Sequence, residues 1–218
     1  MAALTLLGMT ACSSGADDTS GPAKASTSTP AQASPSTPAG QTYATKAFVV
    51  PFTVTVDPAL KSPPNPDSRN WLSWDAAASD PDDAVRFLVP VIVYPPGSDT
   101  PQAPAKDYLK YLQSQAKDGA EFSNMTKITV GGHQATLMNI TTSKPEGFLS
   151  GSLGCSERAA DKHDGDRCRG IQPDFILRLA VIDLGKTTLL TWARMQKNNP
   201  DAAFVAMYER MLTTVQFR

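Results

Sequence analysis

The run from Phe175 to Met195 restricts this chain to few folds. Leu177, Leu179 and Val181 alternate with Arg178, Ala180 and Ile182, and Leu189, Thr191 and Ala193 alternate with Leu190, Trp192 and Arg194. Asp183-Leu184-Gly185-Lys186 lies between the two runs and has hairpin-turn composition. Side chains on a strand point to opposite faces in turn, so this spacing predicts two strands. Both faces are largely apolar, which puts the pair at the centre of a sheet with cover on each side. Arg178 and Arg194 are expected to mark where one face meets solvent.

The flanking sequence supplies the rest of the sheet. Phe52, Val54 and Val56 alternate with Thr53 and Thr55, and Pro51 either places this strand at an edge or starts it at Phe52. Further strands are expected at Asn70 to Asp75 and at Val85 to Tyr94, the latter interrupted by Pro90. The connection from Ala76 to Asp83 between them is an acidic loop. Met125 to Val130 and Gln134 to Thr142 read as a hairpin around Gly131-Gly132. Two helices are expected. One spans Ala105 to Asp118, with Gly119 in the C-cap position. The other starts at Asn199-Pro200-Asp201, Asn as N-cap and Pro at the first helical position, and buries Phe204, Val205, Met207, Tyr208, Met211 and Leu212. Thr213 to Phe217 closes the chain as a strand. The expected class is α+β: one antiparallel sheet of about seven or eight strands packed by two main helices.

Charge and cysteine content limit the functions open to such a domain. The 218 residues carry 20 basic and 21 acidic side chains with no basic stripe, so there is no electrostatic footprint for nucleic acid. Roughly 175 residues remain for the fold once the ends are set aside, enough for one domain with its own core. Three cysteines are an odd number. Cys155 and Cys168 are expected to pair, closing the loop of residues 156–167 and stabilising the fold by about 3 kcal/mol in the chain-entropy model. Cys12 is then left over.

The surroundings of Cys12 account for it. Ala2 to Met9 is almost wholly apolar, and Met9-Thr10-Ala11-Cys12 resembles the lipobox of bacterial lipoproteins: an apolar residue, two small ones, then cysteine. The resemblance implies a thioether-linked diacylglycerol on Cys12 and cleavage just before it. Two acyl chains give stable anchoring where one binds only marginally. No Lys or Arg precedes Cys12, so the basic start of the signal is expected upstream of Met1. Residues 13–42 are Ser, Thr, Pro, Ala and Gly with hardly an apolar side chain, and such a tract cannot offset its ordering entropy. It is expected to be a disordered tether with an end-to-end distance of roughly 30 Å. The expected division is thus 1–12 signal end and lipobox, 13–42 linker, and 43–218 a single domain. Export would place Cys155 and Cys168 in an oxidising space, where pairing is normal.

Several groupings could carry chemistry. Gly185-Lys186-Thr187-Thr188 matches the tail of a phosphate-binding loop, but Ala180 stands where the first glycine belongs and a β pattern follows, so it is read as a turn. Asp161, His163, Asp164 and Asp166 fall within the Cys155–Cys168 loop, where a calcium site would need glycine in place of Asp166 and a closing glutamate. A solvated loop is the expectation there, with a metal-dependent sensor at 161–166 as an alternative. His133 and His163 sit in turns without an evident acid or serine partner, and no G-x-S-x-G elbow is present. An envelope hydrolase would have to assemble its site from distant residues. Leu149 to Gly154 is expected to be a flexible connector, and Ser150, Ser152, Arg178 and Arg194 are the candidate binding residues.

The lipobox, the Ser/Thr/Pro tether, the Cys155–Cys168 clip and the segment from Pro173 to Phe217 together resemble actinobacterial cell-envelope lipoproteins. The element order is similar to the PsbP-like superfamily, which implies a sheet between helices serving as a binding and assembly module. The resulting expectation is a non-catalytic, lipid-anchored module on the outer face of the cytoplasmic membrane. It needs no cofactor or metal, and its partner is an envelope protein or small ligand.

Overall fold

The structure is a computed structural model and describes residues 40–77 and 83–218. The expectations for Cys12 and for most of the linker lie outside the described residues, as does most of the acidic loop at 76–83.

The described chain begins with β1 (Gln41–Ala44), β2 (Phe52–Val56), β3 (Trp71–Asp75) and β4 (Ala84–Leu88). Helix α1 (Tyr108–Ser114) follows and continues as a 3-10 turn over Gln115–Asp118. Next come β5 (Ala120–Val130), β6 (His133–Thr142), β7 (Ser152–Cys155) and β8 (Cys168–Gly170). The chain ends with β9 (Phe175–Asp183), β10 (Thr188–Gln196), α2 (Ala202–Thr213) and β11 (Gln216–Phe217). No helix among the described residues is long and apolar enough to cross a membrane.

These strands form three antiparallel sheets, which corrects the expectation of a single one. The large sheet has six strands in the order β3-β4-β10-β9-β6-β5, with β9 and β10 at its centre as their two-faced pattern requires. A smaller sheet, β1-β2-β11, takes the first and last strands of the domain, and β7-β8 form a separate ribbon. Strand β1 starts at Gln41, two residues inside the expected linker. It pairs with β2 from Gln41↔Val56 to Ala44↔Thr53.

Each face of the central pair meets its own core. Ala180, Ile182, Leu189, Ala193 and Met195 pack with Phe52, Val54 and Val56 of β2 and with Phe204, Met207, Tyr208, Met211 and Leu212 of α2. Leu177, Leu179, Val181, Leu190 and Trp192 face the other way, towards Tyr108 and Leu112 of α1, Leu153 of β7, and Ile171. A third, smaller cluster of Ile92, Tyr94, Ala160 and the two cysteines lies around the clip. Tyr208, wholly buried, donates its hydroxyl to the Thr191 carbonyl at 2.7 Å and so ties α2 to β10.

Local chemistry explains the element ends. Gly131 and Gly132 both have positive φ (54° and 84°), the backbone of a two-residue hairpin turn. Gly119 is left-handed (φ 99°) and stops the 3-10 turn. Strand β4 ends before Pro90, which lacks the donor a central strand needs. The cap of α2 is a correction: Asp201, not Asn199, accepts the backbone N–H groups of Ala203 (2.8 Å) and Phe204 (3.1 Å). Pro200 is therefore outside the helix.

Arg178 and Arg194 also differ from expectation. Arg178 pairs across the sheet with Ala193, and Arg194 with Leu177, so the two arginines lie on opposite faces. Neither marks a solvated face. Arg194 is only 8% exposed. Arg178 donates from Nε to Glu209 Oε1 on α2 (2.8 Å), and from Nη1 to Asn139 Oδ1 on β6 (3.2 Å) and to the Asn124 carbonyl (3.1 Å). Asn124 sits in the irregular stretch where the β5–β6 register shifts, at φ 51°. One guanidinium thus joins α2, β6 and the β5 bulge. Arg178→Ala is expected to lower stability in urea unfolding by about 2–3 kcal/mol, because charge-assisted bonds are lost and Asn139 is left underused. Asp201→Ala is expected to cost about 1 kcal/mol in the same measurement.

Candidate functional site

The ribbon β7-β8 is the piece of the fold that builds a site. Cys155 and Cys168 face each other in its register and are joined by a disulfide. The next residue along β8, Arg169, is opposite Gly154 of β7. Gly154 has φ 133°, and a Cβ there would lie 2.8 Å from Pro90 Cβ and 3.0 Å from the Tyr108 hydroxyl. The ribbon therefore packs closely against the segment after β4 and the start of α1. Arg169, fixed by the disulfide beside it, reaches over the outer strands β3 and β4.

There its guanidinium carbon lies 5.0 Å from the centre of the Trp71 indole, and the guanidinium carbon of Arg86 from β4 lies 5.8 Å from the same ring. Trp71 is itself supported by Trp192, ring centres 5.6 Å apart. Arg194 stacks on Phe175 at 4.6 Å. It is close enough to Arg169 to oppose its charge electrostatically. Arg169 and Arg86 line a cleft of about 460 Å³ together with Trp71, Asn65, Ser73, Asp75 and Asp166. The Arg169 Nε is buried and finds no hydrogen-bond partner among the described residues. Burial, and then the Arg194 charge, lowers the Arg169 pKa from 12.5 to about 10. A guanidinium held largely out of water over an indole, with its Nε donor unspent, is costly, since buried polar groups are ordinarily satisfied.

A second open region lies between α1 and the β9–β10 turn and includes Lys106, Lys127, Asp107 and Asp183. Three of its polar side chains are already engaged locally. Asp107 caps α1 through the Lys110 N–H (3.0 Å), Asp183 accepts the Gly185 N–H (2.7 Å), and Lys127 donates to Thr136 (2.8 Å). Gly185 and Lys186 form the hairpin turn that leads into β10, as the sequence predicts.

The candidate residues from sequence divide sharply. Arg194 is brought beside the cleft, whereas Arg178 is on the other face of the sheet. Ser150 and Ser152 are 0% exposed, so the flexible connector expected at Leu149 to Gly154 is instead an anchored segment. Ser150 bonds to Thr142 (2.5 Å) and to the Asp118 carbonyl, and the Ser152 carbonyl accepts from Tyr111 (3.0 Å) and Gln115 (3.1 Å). Two acids of the clip loop serve its own turns: Asp161 accepts the His163 N–H (2.8 Å), and Asp164 accepts the Asp166 N–H and pairs with Arg167 (2.6 Å). Among the described residues no three His, Cys, Asp or Glu side chains come together to hold a metal. His133 rests edge-on against Phe217, ring centres 5.1 Å apart.

Trp71 and Arg169 were not singled out by sequence. The one available signal was the position of Arg169 immediately after a cysteine expected to be cross-linked.

No family model matches the chain, and no curated protein matches it. Among solved structures, the solution structure of cyanobacterial PsbP (CyanoP) from Synechocystis is similar at 8% sequence identity and a TM-score of 0.37, covering 77% of this chain and 86% of that chain. A likeness at this level transfers no site.

If Arg169 were there for stability, its removal would unfold the corner. Its environment disfavours its charge, so Arg169→Met is expected to leave urea stability within about 0.5 kcal/mol of the parent or to raise it. Replacing both cysteines by alanine is expected to lower stability by about 3 kcal/mol, read by thermal melting with and without reductant.

Proposed function

We propose that this chain is a lipid-tethered, non-catalytic binding module of the bacterial cell envelope, and that the cleft between Trp71 and Arg169 is where it binds. The observation that carries the binding reading is Arg169 itself, which lines the cleft, stacks on Trp71 and keeps a buried Nε without an acceptor among the described residues. Retaining a largely buried cation with an unspent donor is reasonable where a ligand supplies the missing acceptor. The envelope address is supported by the Cys12 lipobox, by the tether after it, and by the Cys155–Cys168 bond, which leaves Cys12 as the odd cysteine of three. A tether of this kind gives a binding domain high effective concentration at the membrane surface without any need for turnover.

Two measurements test the proposal separately. In the native host, expressed with its full leader, intact-mass analysis of the membrane fraction should find a diacylglyceryl adduct on Cys12, and Cys12→Ser should move the protein to the soluble fraction. An unmodified soluble parent refutes the tether. For the cleft, a small-molecule extract of the host envelope should raise the melting temperature of the full chain carrying Cys12→Ser, and Arg169→Gln should abolish the rise. Equal shifts in both proteins, or none, refute the cleft.

A further inference from the structure

The polar inventory of the cleft narrows what it could hold. We propose that it is a carboxylate subsite: the ligand presents one planar carboxylate to Arg169, with hydroxyl or amino donors beside it for Asp75 and Asp166. The inference rests on the reading of this cleft as the binding site and adds the chemical class of the ligand.

Three features of the geometry lead to that class. The first is the donor. A guanidinium is a rigid planar fork, and its Nε with a terminal nitrogen matches the two oxygens of a carboxylate. Stacking over the Trp71 ring at 5.0 Å fixes the plane of the Arg169 fork and limits how it can turn. The ribbon supports this orientation from behind, because Arg169 follows the cross-linked Cys168 directly. Little side-chain freedom is left to lose when a ligand arrives.

The second feature is the sign and amount of charge. Asp75 and Asp166 line the same cleft as Arg86 and Arg169, so the lining holds two acids and two bases. Such a site tolerates a single negative charge set against Arg169. A doubly charged phosphate would meet repulsion from both acids at close range.

The third feature is what the acids need. An ionised carboxylate only accepts hydrogen bonds, so Asp75 and Asp166 call for donors on the ligand, and Asn65 and Ser73 can both donate and accept. A carboxylate flanked by hydroxyls or amines meets all of these groups. A purely apolar acid meets only the arginine.

The test uses the full chain carrying Cys12→Ser, so that it does not depend on lipidation. Glucuronate serves as the probe, with a carboxylate beside hydroxyls. Glucose supplies hydroxyls alone, and inorganic phosphate supplies the oxyanion alone. Binding is followed by the Nε–Hε resonance of Arg169 in nitrogen-15 spectra and by melting temperature, at constant ionic strength. Glucuronate is expected to shift the Arg169 resonance saturably and to raise the melting temperature more than either comparison compound. Arg169→Gln is expected to weaken binding about tenfold or more, as loss of a charge-assisted pair should. Lys186→Gln, in the β9–β10 turn and outside the lining of the cleft, should bind as the parent does. The proposal is overturned if phosphate binds more tightly than glucuronate, if glucose binds as well as glucuronate, if no probe saturates, or if Arg169→Gln and Lys186→Gln weaken binding equally. A rise in melting temperature with envelope extract alongside failure of glucuronate would remove the carboxylate assignment and leave the cleft.

Discussion

Two strands that are apolar on both faces cannot stand at the surface of a protein, and most of this architecture follows from covering them. Strands β9 and β10 turn Ala180, Ile182, Leu189 and Ala193 to one side, and Leu177, Leu179, Leu190 and Trp192 to the other. Burying a large aliphatic or aromatic side chain contributes roughly 1.5–3 kcal/mol, so exposing either row would remove a large part of a domain's net stability. One side is closed by α2 and the sheet β1-β2-β11. The other is closed by α1 and the ribbon β7-β8. Covering the second side with a disulfide ribbon, which is too small to reach every strand, leaves one corner where the sheet face is polar. That corner holds Arg86, Arg169 and Arg194.

The two faces use arginine in opposite ways. On the α2 side, Arg178 is given acceptors by Glu209, Asn139 and the Asn124 carbonyl, and it joins elements that would otherwise only touch. On the ribbon side, Arg169 has an indole beneath it, an unmatched Nε, and a like charge close by. The first arrangement strengthens the fold. The second does not, and a charged group held at a local disadvantage beside a cleft is a frequent mark of a site. The disulfide links the two considerations, since it both closes the ribbon and sets the strand position of Arg169.

The sequence was most legible where local chemistry and pattern agreed. The central hairpin, the Gly131-Gly132 turn, the break at Pro90 and the buried stripe of α2 were all readable from spacing and turn residues. The number of sheets was not. Strand pattern predicts that a segment is extended and which residues share a face, but the choice of neighbour is made by long-range packing. Gln41 to Ala44 is a clear instance: its composition continues the tether, and it becomes a strand because β2 offers an edge. The segment Leu149 to Gly154 shows the same limit from the other side. Its glycines and serines suggest a mobile connector. Yet Ser150 and Ser152 are buried because Thr142, Tyr111 and Gln115 supply partners for the polar groups of the segment.

By itself the amino-acid sequence determined a β-rich domain with a double-faced central hairpin, a cross-linkable pair of cysteines, and a third cysteine in a lipobox-like setting. These are properties of residues near one another along the chain, where turn geometry and side-chain alternation act directly. Only the tertiary structure decided that Arg178 and Arg194 part to opposite faces, that the serines are buried, and that Arg169 meets Trp71. Those two residues are far apart in sequence and belong to different sheets. Their meeting depends on where the ribbon β7-β8 lies, with Leu153 in the core under the large sheet and Gly154 fitted closely against Pro90 and Tyr108, which no local pattern encodes.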